Sequence, residues 1–482
     1  MKRNLFFTLL LMLAMTTGWA QIPFDMPEVA RPAIPAYTVR ITDFGAKGDG
    51  SELCTTAFKK AFSALKEHGG GHIIVPAGIW YTGPIEFENN CDLHVEQGAI
   101  VLFTTDYDAY PDIKTIYEGK VTEKKMSPLT ANGKHDISIT GKGTFDAQGQ
   151  AWRPSKKGKF TASQWAELTS QDGMEVKNVF YPDAYPGHAG AEAGQPDMRR
   201  VSRRPVMLEF AGCKRVLLQD ATFSNSPAWN VHPVKCEDVT IEGCTIRNPW
   251  YAQNGDGLDL ESCTRALIRK TVFDVGDDAI CIKSGKDKEG RSWQMPCQKV
   301  VIEDCVVLHG HGGFVIGSEM SSGARDIYVN NCLFNGTDTG LRMKSTRGRG
   351  GVVENIYINN INMVNIAGDA FTFDLYYANN PATGKADAAN SAADAIPAVT
   401  EETPCFRNIF INNVVCQGAK RAIYFNGLPE MPLSNLQMRN SLFTADKGAE
   451  LHYAKDLLFE NVTINTKGER MTTTDVTNFI ER

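Results

Sequence analysis

The sequence predicts an all-β chain wound as a single right-handed parallel β-helix, and three observations carry that prediction. From residue 214 a unit of the form polar-polar-apolar-x-apolar-polar-polar recurs nine times, with its first apolar position at Val216, Val239, Ala266, Val300, Ile327, Ile356, Ile409, Leu436 and Leu457. Asparagine stands four places after that anchor at Asn331, Asn360, Asn413, Asn440 and Asn461, as side-chain ladders in stacked coils require. No unit is long enough to bury its own apolar face, so neighbours must stack. Most spacings are 21–34 residues; the 53 between Ile356 and Ile409 holds an insertion. Leucine-rich repeats have similar lengths but a leucine spacing this chain lacks, and propeller blades need longer units.

Taken in order, Lys2 and Arg3 precede the apolar run Leu5–Met15, and Gly18-Trp19-Ala20 supplies small residues for cleavage. Residues 1–20 are therefore expected to be a signal peptide, too short to span a membrane. The mature chain is expected in the periplasm or outside the cell. Residues 21–37, rich in proline, read as an extended lead-in, and 38–482 as the β-helix domain. Phe58, Ala61, Phe62 and Leu65 lie on one helical face, which Gly69–Gly71 terminate, so a single helix is predicted to cap the N-terminal end. Strand-like alternation begins at residue 72, with earlier copies of the anchor expected at Leu93 and Ile137. Segments 146–204 and 376–404 break the rhythm and read as long loops grafted on the solenoid, where function tends to collect.

Net charge is −6 with no long basic run, which argues against nucleic acid as a partner. The twelve cysteines show no close-spaced metal pattern. Cys213, Cys236, Cys263 and Cys297 fall three residues before their anchors, and Cys244, Cys305 and Cys332 five after, as buried thiols filling equivalent slots would.

Four polar signatures interrupt the strands of residues 254–344: Asn254-Gly255-Asp256-Gly257, Gly276-Asp277-Asp278, Gly310-His311-Gly312 and Arg342-Met343-Lys344. Alone, the first is a turn sequence, His311 a turn residue among glycines, and Arg342 with Lys344 a solvated strand face. Superposing the units changes this reading. Gly276–Ser284 matches Gly310–Ser318 position for position, so His311 stacks on Asp277. The preceding unit is one residue shorter, so Asp256 stacks on either Asp277 or Asp278. Lys344-Ser345 aligns with Lys283-Ser284. Rungs are about 4.8 Å apart, so the set covers roughly 15 Å, the length of two or three sugars. Like charges on adjacent rungs cost a few kcal/mol at moderate dielectric, a cost an enzyme can use to hold a proton on one carboxyl. Paired acids of this kind suit glycoside hydrolysis. Asp259 and Glu261 are expected to flank the site.

The four signatures resemble the Asn-Thr-Asp, Asp-Asp, Gly-His-Gly and Arg-Ile-Lys motifs of family 28 glycoside hydrolases, the polygalacturonases, in order and spacing. Gly255 replaces the threonine and Met343 the isoleucine. The likeness reaches back to Asp43-Phe44-Gly45-Ala46, covering most of the mature chain. It implies a pectin-lyase-like solenoid cleaving α-1,4-linked galacturonic acid with inversion and without metal or other cofactor. It implies Asp277 as general acid, Asp256 and Asp278 as holders and activators of water, and His311 as support for the acid's protonation. Arg342 and Lys344 would bind a substrate carboxylate, with Asn254, Lys283 and Glu319 as further substrate contacts. Gly317-Ser318-Glu319 and Lys283–Asp287 resemble bacterial and plant exo-acting members, so exo-cleavage by a monomer is expected. The rivals are a galacturonidase acting on rhamnogalacturonan fragments, a calcium-dependent pectate-lyase-type eliminase, and a non-catalytic carbohydrate-binding β-helix.

Overall fold

A computed structural model describes residues 22–182, 195–377 and 396–482. The expected signal peptide and the middles of both insertions lie outside the described residues.

The chain climbs by one coil per repeat, and each coil lays a strand on each of three faces. The first face runs from Thr38–Arg40 through Gly71–Val75, Cys91–Val95, His135–Thr140 and Lys214–Gln219 toward the C-terminus, every pair parallel. The predicted anchors stack one on the next along it: Val216 on Val239, Ala266, Val300, Ile327, Ile356, Ile409 and Leu436. Ile137 extends the row, pairing with Val216. Leu93 does not: it pairs with Ile139, and Cys91 holds the slot opposite Ile137. Loop length between the two strands, which the hydrophobic pattern does not report, sets that two-residue difference.

The coils turn at residues of left-handed backbone conformation. Asn331, Asn360, Asn413, Asn440 and Asn461 all have φ between 48° and 54°. Asparagine tolerates this region because its short amide bonds locally, and here the amides also bond between coils. Asn413 Nδ2 donates to Asn360 Oδ1 at 2.6 Å and Asn461 Nδ2 to Asn440 Oδ1 at 3.0 Å. The interior is a continuous apolar stack, with Phe145 lying flat on Phe223 and Phe373 on Phe425. All twelve cysteines are buried and free.

The helix Thr55–Glu67 closes the N-terminal end, burying Phe58, Ala61, Phe62 and Leu65 as its periodicity predicts. The lead-in is a strap lying along the solenoid. The Ala33 amide donates to Asp136 at 3.0 Å, the Ala30 amide to Asp238 at 3.3 Å, and Lys299 Nζ to the Asp25 carbonyl at 2.5 Å. Two antiparallel additions rise beside the third face. One is the hairpin Asp112–Tyr117/Lys120–Lys125; the other joins Ser155–Lys156, Gly173–Val176 and Val179–Pro182 within the first insertion.

Candidate active site

Four consecutive strands of the third face carry the polar signatures: β1 (Leu258–Glu261), β2 (Asp278–Lys283), β3 (Gly312–Gly317) and β4 (Thr339–Lys344). Alternation turns Leu258, Leu260, Ile280, Ile282, Phe314, Ile316, Leu341 and Met343 into the core, which leaves the intervening positions outward. Leu258 pairs with Ile280, so continuing the register backwards sets Asp256 beside Asp278, the alternative that sequence left open. Asp278 pairs with Gly312, so Asp277 sits beside His311 as expected. Gly310 makes that approach feasible: its φ is +153°, and a Cβ there would lie 2.8 Å from the Asp277 carbonyl oxygen. The His311 amide donates to the same carbonyl at 2.8 Å.

The three aspartates each bring a carboxylate oxygen within 4.8 Å of the others. That spacing would admit a divalent cation, but basic side chains already balance two of the charges. Lys344 Nζ donates to Asp278 Oδ2 at 2.6 Å, and His311 Nδ1 is bonded to Asp277 Oδ1 at 3.0 Å. Asp277 keeps 23% of its side chain exposed against 2% for Asp278, so it is Asp277 that faces the cleft.

Burial drives the Asp256 carboxyl well above its ordinary pKa, and Asp277 and Asp259 add to the effect while Lys283 opposes it. Burial acts the same way on Asp277, but the His311 hydrogen bond and charge overcome it and bring its pKa down to about 2. His311 is raised reciprocally, chiefly by its bond to Asp277 against the pull of burial. Lys344 is raised too: burial opposes its charge most strongly, and the Asp278 carboxylate, with Tyr377 and Cys281, together outweighs it.

The remaining expected residues gather round this centre. Lys283 is 4% exposed, lying 3.0 Å from Glu319 Oε2, 3.5 Å from Asp259 Oδ1 and over the Trp229 ring. Asn254 Oδ1 accepts a hydrogen bond from Arg204 at 3.3 Å. Arg342 carries no ion pair among the described residues and lies over Tyr377, 5.2 Å from the ring centroid. Asp259 and Glu261 are fully buried behind the cleft, where Glu261 Oε2 meets His232 Nε2 at 2.9 Å.

The expected site residues other than Asp259 and Glu261 line a cleft of about 400 Å³ that also takes in Glu118, Lys156, Lys159, Trp229, Tyr251 and Tyr377. Those six were missed from the sequence. Only Lys156-Lys157-Gly158-Lys159 left a signal, a basic run inside an acidic chain. A larger hollow of about 890 Å³ over the last coils, between Ala419 and Thr444 among others, has no comparable cluster of carboxylates and is not the chemical centre.

Residues 191–397 match the family model described as glycosyl hydrolases family 28. A probable polygalacturonase of Vitis vinifera is 27% identical over 84% of this chain and 74% of its own length. An exo-poly-alpha-D-galacturonosidase of Dickeya chrysanthemi is 30% identical over 82% of this chain and 65% of its own. Among solved structures, a hyperthermoactive exopolygalacturonase of Thermotoga maritima superposes with a TM-score of 0.74 at 31% identity, covering 91% of this chain and 94% of that one.

Proposed function

Since the chain belongs to family 28 of the glycosyl hydrolases, we propose that it is a pectin-degrading hydrolase that removes galacturonic acid from the ends of α-1,4-linked galacturonate chains by inverting hydrolysis. The observation that carries this reading is the Asp256–Asp277–Asp278 cluster, set beside His311 and opening toward Arg342, which has no ion pair among the described residues.

The side chains divide the work as follows. Asp277, the carboxyl that faces the cleft, protonates the leaving glycosidic oxygen. In the empty cleft its proton rests on His311, because solvent reaches the pair and the ionic form is affordable there. A sugar filling the cleft dries the pair, and an ion pair in a dry site is costly. The proton then crosses the 3.0 Å hydrogen bond to Asp277, producing the acid at the moment of use. Asp278, charge-paired with Lys344, takes a proton from the attacking water, while Asp256 fixes that water by hydrogen bonding. The glycosidic C–O bond breaks as the bond from water forms on the opposite face, which inverts the anomeric centre. Arg342 binds a substrate carboxylate by charge-assisted hydrogen bonds. Export belongs to the same proposal, on the strength of the charged start and apolar run of residues 1–20.

Digestion of polygalacturonate and of rhamnogalacturonan fragments, with proton NMR of the first product, tests this. Free galacturonic acid of inverted configuration, released from polygalacturonate in the presence of chelator, is the expected result. Early mixtures of short oligomers would contradict exo-cleavage, and an ultraviolet-absorbing unsaturated product would contradict hydrolysis.

A further inference from the structure

The charges lining the cleft do not cancel, and the imbalance points to residues outside the four signatures. Lys283 is matched by Glu319, Lys344 by Asp278 and His311 by Asp277. Arg342, Lys156 and Lys159 remain without a carboxylate partner among the described residues, facing only Glu118 and the buried Asp256 in the lining. Lys159 is the sharpest case. Its Nζ lies 3.5 Å from His311 Nε2, so an ammonium points at an imidazole whose proton affinity Asp277 has raised. Two groups with a claim to positive charge at that separation repel, and Asp338, 3.8 Å from the same imidazole nitrogen, is 62% exposed. An anion arriving between them would be held by both.

Lys159 is also seated rather than loose. It ends a short turn, Lys157–Lys159, in which the Phe160 amide donates to the Lys157 carbonyl at 3.0 Å. Phe160 then packs on Tyr251 with ring centroids 4.7 Å apart and on Trp165 at 5.9 Å. On the other side, Ser155–Lys156 is a strand of the small antiparallel sheet, paired to Phe180 and Val179. The insertion thus grips the loop just before Asn254 and reaches over the cleft toward His311. Arg342 stands one rung past His311, on the strand that pairs with β3 on its C-terminal side.

We infer that Lys159, with Lys156 beside it in the lining, is a carboxylate-binding and specificity-determining residue that holds the galacturonate across the cleaved bond from the one held by Arg342. The inference rests on the function proposed above and adds the means by which the insertion reads the second acidic sugar. A uronate on both sides of the bond would be demanded, one cation from the solenoid strand and one from the graft.

The two monomethyl esters of digalacturonate separate the cations. The wild type is expected to hydrolyse each ester about tenfold less efficiently than the free diacid, since each ester forfeits one charge-assisted contact. Lys159→Met should lower kcat/KM on the diacid about tenfold, mainly through KM. It should no longer distinguish the diacid from one of the esters, and should still discriminate against the other. Arg342→Met should lose the complementary discrimination, and Lys159→Arg should restore that of the wild type. An unchanged melting temperature shows that Lys159→Met folds normally. A Lys159→Met enzyme that keeps both discriminations would overturn the inference while leaving the hydrolase intact. A wild type that cleaves no galacturonate dimer or polymer would instead remove the functional reading, and the inference with it.

Discussion

Replacing His311 by glutamine tests the proton arrangement most directly. Glutamine can still donate a hydrogen bond to Asp277 but brings no charge. In the folded chain the His311 bond and charge hold Asp277 down to about 2 against burial. Opposite unit charges about 3 Å apart at an effective dielectric near 20 attract by about 5 kcal/mol, enough to account for that direction. Without the imidazolium charge, burial is opposed only by Lys344, the Asp278 amide and the glutamine hydrogen bond, and the Asp277 pKa rises from its depressed value. In the wild type, activity is lost on the alkaline side when the His311–Asp277 pair gives up its second proton. That loss follows the raised imidazole pKa, above 6.5. In the variant the same loss follows Asp277 alone. The alkaline limb of kcat/KM should therefore move down by about 2 pH units, with residual activity surviving at acid pH. Measuring kcat/KM for trigalacturonate from pH 3 to pH 9, on the order of one point per half unit, settles it. A variant whose alkaline limb coincides with that of the wild type would show that His311 does not store the proton, and the resting arrangement proposed here would be wrong.

Three further substitutions probe other parts of the molecule. Asp277→Asn should lower kcat by about 10²–10⁴ while leaving the circular dichroism spectrum unchanged, and a fully active variant would exclude Asp277 as the acid. Asp259→Asn addresses stability: burial lifts this carboxyl to about 7, Lys283 and His232 opposing. A folded pKa above the unfolded 3.8 means the group favours folding most below pH 3.8 and progressively less as pH climbs to about 7, by on the order of 4 kcal/mol. Chemical denaturation of the variant should show a flatter loss of stability between those limits, and an unchanged slope would refute the assignment. Asn413→Ala should cost about 2 kcal/mol, about half from the amide bond to Asn360 and half because alanine has no short polar side chain with which to ease a left-handed backbone. Asn413→Gly should recover the backbone half, as denaturation midpoints would report.

What the sequence made legible was whatever repeats. The anchors from Val216 to Leu436 and the match of Asp277 to His311 follow from units of equal pattern, and the capping helix from a change of period at Phe58. Asp256 was ambiguous because its unit is one residue shorter, a difference that a turn can absorb on either side. Leu93 was misplaced by two residues for the same reason. The bond from Lys344 to Asp278 joins residues 66 apart and two rungs away, and it depends on how far a long side chain leans along the wall, which no pattern encodes. Lys159 left only a short basic run, and Glu118 and Trp229 no mark at all, for a different reason. They reach the cleft from a graft, a hairpin and an earlier coil, whose placement relative to the third face is tertiary. The hairpin Asp112–Lys125 passed unnoticed because its alternation reads like that of any other strand in the body.

The strap of residues 22–37 changes what kind of solid this solenoid is. In a pure stack each coil answers only to the coils above and below, so damage opens locally and unravelling can start from either end. Here one length of chain is sewn to coils at Asp136, Asp238 and Lys299, up to 274 residues away in sequence. Those stitches can close only after the coils that hold them exist, so an early-made part of the chain is among the last to be fastened. Once fastened, the lacing spans the rungs that carry Asp256 and Asp277, and a split between neighbouring coils there must also tear out the seam.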